Sequence, residues 1–335
     1  MRAARALTQA LLTIPVVGFW IWAIGALCID GPTTHLFAAS LAGGVAIGLG
    51  VAGLGCLVFV RPYRRALLAL ALISGAVLFW WLRIPPSNDR DWQPDVARPA
   101  RAQIEGNRVT IENVRNFNYR SETDFDQTWE TRTYDLDKLR GIDLFISFWG
   151  PTLYAHTIMS WEFEGSPPLA ISIETRKEKG ETYSALLGFF RQFEQYYVVA
   201  DERDVIGVRD RFRGEHTYLY RLAAPVAAAR ALLLDYLGYV NGLADQPEWY
   251  NAMTQNCTTS IRNRVMQAGG QVPLDWRLLL NGRLDELLYE RGSLSHSLPF
   301  AELKQKSEVT QRAIAAGESP DFWARIREGI PDYPR

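Results

Sequence analysis

Cysteine is scarce in this chain, with three in 335 residues, and there are only four histidines. Cys28 and Cys56 fall inside long uncharged runs, so the polar part of the chain holds Cys257 alone. A single thiol excludes an intradomain disulfide. A charge excess is missing too: 36 Lys and Arg stand against 37 Asp and Glu, for a net charge of −1. No basic stripe suggests a nucleic-acid partner. No two histidines of the polar part have the short spacing of metal ligands, and there is no G-x-S-x-G elbow or P-loop. Neither a metal nor a cofactor is expected. Internal repeats and low-complexity tracts are also absent.

Charged residues are lacking between Arg5 and Asp30, between Asp30 and Arg61, and between Arg65 and Arg83. A spanning helix needs about 20 apolar residues. The first two runs meet this, and the third reaches it with arginines able to snorkel at both ends. The first run is long for the core of a cleaved signal peptide, and two more follow it. The expectation is a three-helix membrane anchor over residues 1–84. Its Gly-rich stretch, Leu41 to Gly55, suits close helix packing in lipid. Arg2, Arg5 and the arginines of RPYRR (61–65) flank the runs on one side, whereas DGPTTH (30–35) has neither Lys nor Arg. The positive-inside rule then places the N-terminus in the cytoplasm and everything after Arg83 outside, in a multi-pass bacterial inner-membrane protein. Residues 85–105, rich at first in Pro, Asp and Arg, read as a linker. The roughly 230 residues from 106 to 335 can bury a full core as one extracytoplasmic domain.

An unpaired thiol in an oxidising compartment is either a buried small hydrophobe or is put to use. The surroundings of Cys257 favour use. EWYNAMTQN is polar and turn-like, Ile261, Val265 and Ala268 then recur at helical spacing, and Gly269-Gly270 is a stop signal. Cys257 therefore opens a helix, where the dipole and free N–H groups favour a thiolate and can receive an oxyanion.

A thiol nucleophile needs a base, and the domain offers His156, His216 and His296. His156 opens a predicted strand, IMSWEF, which the turn signal EGSPP joins to LAISIE. A hairpin centred near Gly165 sets Glu174 opposite His156, on the same face, where it can orient the imidazole. Ser172 is the alternative if the register slips. His216 reads as structural or solvated at another strand start, and His296 as a loop residue. Trp149, Tyr154 and Trp161 could dry the site or be simple core. LLDYLGYVNGLAD (233–245) reads as a scaffold helix.

His156 precedes Cys257, the reverse of the usual papain-like order, and this resembles the circularly permuted papain-like group that includes lecithin–retinol acyltransferase. A closer resemblance is to the Lnb N-terminal periplasmic domain family. It is carried by Tyr250-Asn251, by Asn256-Cys257-Thr258-Thr259 with Ile261-Arg262 behind, and by Ala155-His156-Thr157 upstream, and covers roughly residues 110 to 275. In the proteins named Lnb the membrane helices follow this domain, whereas here they precede it. The resemblance implies transfer of an acyl chain from a phospholipid to the amino-terminal cysteine of a lipoprotein.

The expected fold is α+β, an antiparallel sheet with packed helices in a permuted papain-like arrangement behind the membrane anchor. The expected activity is a thiol acyl transfer with Cys257 as nucleophile, His156 as base and Glu174 as orienting group. The partners would be a membrane phospholipid donor and a lipoprotein or other amine acceptor. The alternatives are a membrane-anchored cysteine peptidase or amidase acting on cell-wall peptide, and a non-enzymatic tethered binding domain. The last requires Cys257 and His156 to lie beyond hydrogen-bond reach.

Overall fold

A computed structural model describes residues 2–31, 39–60, 62–150 and 152–331. Arg61 and the loop residues Pro32 to His35, on which the orientation argument partly rests, lie outside the described residues. The chain divides into two compact units.

The first unit holds the residues up to Ser87 together with Tyr183–Phe193. Its helices are α1 (Arg2–Ile29), α2 (Ala39–Phe59) and α3 (Tyr63–Trp81). Among the described residues, Leu11–Ile29 and Tyr63–Trp81 are long and apolar enough to cross a membrane, and α2 offers a shorter apolar stretch, Ile47–Phe59. Only part of the expected glycine packing is seen. A side chain at Gly53 would meet Trp20 Nε1, while Gly44, Gly48 and Gly50 face open space. Phe190 packs among Ala23, Ala26 and Val77. Trp81 Nε1 and Gln192 Nε2 each donate to the Asp30 carboxylate at 2.7 Å.

The second unit comprises Asn88–Thr182 and the chain from Glu194 onward. It therefore takes in most of the stretch that reads as a linker. That stretch is ordered because Trp92 and Val96 are buried, with the Arg176 guanidinium 4.2 Å over the Trp92 ring and its Nε donating to Val96 O. The strands are β1 (Arg101–Glu105), β2 (Arg108–Arg115), β3 (Asn118–Tyr119), β4 (Phe125–Asp126), β5 (Trp129–Asp135), β6 (Leu139–Phe148), β7 (His156–Phe163), β8 (Ser166–Arg176), β9 (Glu194–Asp201) and β10 (His216–Arg221). The main sheet runs β1-β2-β9-β8-β7-β6-β10, with β5 also on β2, while β3 and β4 form a separate pair. All its pairings are antiparallel except a single parallel bridge between β2 and β9.

Helices cover both faces. On one side α4 (Glu202–Val205) and α5 (Gly207–Phe212) follow β9 directly. On the other lies α6 (Val226–Asp245), the expected scaffold helix, whose buried stripe is Ala229, Leu232, Leu233, Tyr236, Leu237, Val240 and Leu243. This spacing lays one helical face on the sheet. Fully burying each large apolar side chain there contributes about 1.5–3 kcal/mol. Beside α6 lie α7 (Cys257–Gln267) and α8 (Leu284–Glu290). The chain continues through α9 (Phe300–Ser307), α10 (Thr310–Ala316) and α11 (Phe322–Arg327), and residues of α10 and α11 join the core under α4 and α5. Strand alternation feeds the two cores separately: Met159 and Ile171 enter the α6 side, Ile158 and Ala170 the α4 side. The unit is thus α+β, with a mostly antiparallel sheet between helices.

Candidate functional site

Asn256 determines where α7 begins. Its backbone is extended, and its Oδ1 accepts the Thr259 N–H at 2.9 Å. Cys257 is consequently the first helical residue. Its own N–H and that of Thr258 have no acceptor within the helix, and the positive end of the dipole lies at the thiol. Gly269, at φ 89°, and a bond from Gly270 N to Val265 O end the helix where the glycine pair predicted.

The β7–β8 hairpin turns at Glu164-Gly165, and Gly165 takes φ 73°. Its pairing includes Met159↔Ile171 and Ile158↔Ser172. Continuing that register by two residues sets Glu174 opposite His156. His156 Nε2 lies 2.7 Å from Ser172 Oγ and 3.2 Å from Glu174 Oε1, and Ser172 Oγ donates to the same carboxylate oxygen at 2.6 Å. Ser172 and Glu174 are therefore joint partners of one ring rather than alternatives. With Nε2 facing them, Nδ1 is the nitrogen left to exchange a proton with the thiol.

Arg209 on α5 supports the carboxylate. Its Nη2 donates to Glu174 Oε1 at 2.6 Å, and it is buried with Glu215 as its second counter-charge. Ser147 Oγ in turn donates to Glu215 Oε2 at 2.7 Å. Asn281 supports the thiol side. Its Oδ1 accepts Ala155 N at 2.8 Å, and its Nδ2 donates to Ala155 O at 2.6 Å and to Thr258 Oγ1 at 2.7 Å. It joins the residue before His156 to the residue after Cys257, with Cys257 Sγ 3.8 Å from its Nδ2. A side chain on the next residue, Gly282, would collide with the backbone of Thr152 and Leu153, so only glycine lets this loop approach so closely.

The thiol and the ring shift each other. Burial alone would push the Cys257 thiol up, but a hydrogen bond and the charge of His156 outweigh it, with help from Thr157, and bring it down to about 7. Burial and Arg209 push the His156 imidazole down, but the Glu174 carboxylate and the thiol outweigh them and hold it up at about 9. The thiol thus loses its proton before the imidazolium does, and the pair rests as thiolate and imidazolium between those values. Glu174 is held well below the usual carboxylate range, against the cost of burial, chiefly by His156 and Arg209. Such a site can attack a carbonyl, return a proton to the leaving group, and offer N–H groups to an oxyanion.

The other candidates do not join the cluster. His216 opens β10 in the open, and His296 Nε2 lies 2.7 Å from Tyr289 O. Trp161 is core, stacked edge-on against Tyr236, while Trp149 and Tyr154 are about half exposed. Among the described residues no three His, Cys, Asp or Glu side chains converge on a metal position. Arg209 and Asn281 were not found from sequence. Neither sits in a periodic pattern pointing at the thiol, although an Asn-Gly pair at 281–282 marks a tight loop.

No curated protein and no solved structure matches this chain. Residues 125–282 do match the model of the Lnb N-terminal periplasmic domain, a span holding Cys257, His156, Ser172, Glu174, Arg209 and Asn281, in line with the resemblance carried by the sequence around Cys257 and His156.

Proposed function

We propose that this protein is a membrane-anchored thiol acyltransferase that moves an acyl chain from a phospholipid to an amine, the amino-terminal cysteine of a lipoprotein being the favoured acceptor. The observation that carries this reading is the thiol at a helix start, set beside an imidazole that a carboxylate and a serine hydroxyl hold from its far side. In the reaction, Cys257 thiolate attacks the ester carbonyl. The oxyanion is received by the N–H groups of the first turn of α7. The C–O bond breaks, and the glycerol hydroxyl leaves with the proton of His156. The acceptor amine then attacks the thioester, His156 takes its proton, and the thiolate is expelled. Glu174 and Ser172 hold the ring in one tautomer throughout, in a permuted papain-like arrangement.

The periplasmic family and the apolar helices support an exported domain on a membrane anchor. We take α2 as a third crossing, with the N-terminus in the cytoplasm. Confinement of both lipid donor and lipoprotein acceptor to the membrane surface raises their effective concentration at such a site.

The test is expression in cells depleted of their own lipoprotein N-acyltransferase. Mass spectra of lipoprotein N-termini should show triacylation with the wild type and none with Cys257→Ser. Free amines in both, with the wild type well expressed, would remove the lipoprotein acceptor and bring forward cleavage of cell-wall peptide.

A further inference from the structure

The buried side of α7 lines an unfilled groove of about 240 Å³. Interiors normally hold few voids larger than a water molecule. An apolar cavity of about 150 Å³ already stays dry and takes up benzene. Thr258, Ile261, Val265 and Ala268 contribute from α7, facing Met159 of β7 and Leu232 of α6. These α7 positions recur at helical spacing, in a stripe that begins beside Cys257. At about 1.5 Å per residue, the stripe runs about 16 Å from the thiol to Ala268. The deep end, at Met159 and Leu232, is buried, and the rim at Ala223, Ala228 and Gly270 is exposed.

The polar side chains of the lining decide between occupants. Thr258 Oγ1 is taken by Asn281, and Arg262 Nε donates to Val272 O. Ser293 is the remaining hydroxyl. A peptide laid here would bury more backbone N–H and C=O groups than these three side chains can pair, which is costly. An alkyl chain makes no such demand.

We infer that this groove holds the hydrocarbon chain of the thioester on Cys257, and that the residues along α7 set the chain length the protein accepts. The inference rests on the acyl-transfer reading, which supplies the thioester. Val265 and Ala268 determine specificity, because a chain bound at Cys257 passes them in that order.

Two measurements test it, using the full-length protein in vesicles. In the first, Cys257→Ala is irradiated with a diazirine-bearing palmitic acid, and the labelled peptides are mapped. Label on α6 and α7 residues of the groove supports the site without requiring any chemistry, and label confined to the apolar helices overturns it. In the second, vesicles of mixed octanoyl, lauroyl and palmitoyl phosphatidylcholine are offered, and the adducts on Cys257 are weighed. Ala268→Phe should raise the octanoyl-to-palmitoyl ratio by about tenfold, and Val265→Ala should move it the other way. Adducts in unchanged ratio in both variants would overturn the inference while leaving the acyl-transfer reading intact. Groove labelling without any adduct in the wild type would sustain the site and remove the thioester chemistry.

Discussion

Glu174→Gln removes one charge at almost constant shape, and the effect can be worked from the site. The imidazole of His156 is held up at about 9, chiefly by the Glu174 carboxylate, against burial and Arg209, which both push down. With the carboxylate gone, burial and Arg209 push the ring down against the thiol alone, so it falls back toward its ordinary range. Cys257 then loses the neighbouring positive charge that brings it to about 7 and moves back up, since burial also raises it. In the wild type the imidazolium outlasts the thiol proton as pH rises, which favours the ion pair. In the variant that preference vanishes or reverses. The thiolate share at pH 7 should fall by about 10- to 100-fold. Alkylation by iodoacetamide, read at the Cys257 peptide across pH, reports this share without any substrate. The wild-type rate should rise through about pH 7, and the Glu174→Gln rise should lie well above it. Coincident profiles would refute the ion-pair argument.

Cys257→Ser should abolish acyl transfer while shifting stability by less than about 1 kcal/mol, because the side chains are similar in size. His156→Ala should leave below about a thousandth of the activity. Activity retained in either variant, measured on a soluble ester substrate, would contradict the thiol mechanism. Asn281→Ala removes three buried hydrogen bonds and leaves Ala155 N unpaired, so thermal unfolding should show a loss of about 2–4 kcal/mol, and an unshifted melting temperature would deny it the role of a tie between β7 and α7. A reporter fused after Arg101 should be active only in an export-dependent assay, and a cytoplasmic signal there would overturn the membrane orientation.

The parts of the site within short sequence range were legible. Asn256 caps, Cys257 starts and Gly269-Gly270 stops one helix, and each acts on neighbours within a few residues. The β7–β8 hairpin was legible for a similar reason. A tight turn at Gly165 and a side-chain period of two leave little freedom in register, so Glu174 could be set opposite His156. The contributions of Arg209 and Asn281 could not be read, because both are tertiary. Arg209 reaches Glu174 only because α5 follows β9 across the same face, and Asn281 is brought in by a loop packed against Thr152 and Leu153. The linker reading from residue 85 missed Trp92 and Val96 because composition records polarity and not the pocket that Arg176 makes for them. Ser172 and Glu174 looked like competitors in sequence because side chains two apart share a strand face. In space both reach the same imidazole nitrogen.

The central claim is that Cys257 carries an acyl group during turnover. The full-length protein would be incubated with phospholipid vesicles, quenched in acid and digested, and the Cys257 peptide weighed before and after neutral hydroxylamine. Cys257 should gain the mass of one fatty acyl group, removed by hydroxylamine and missing when His156 is Ala. An unmodified Cys257, or one bearing a peptide fragment, would contradict it.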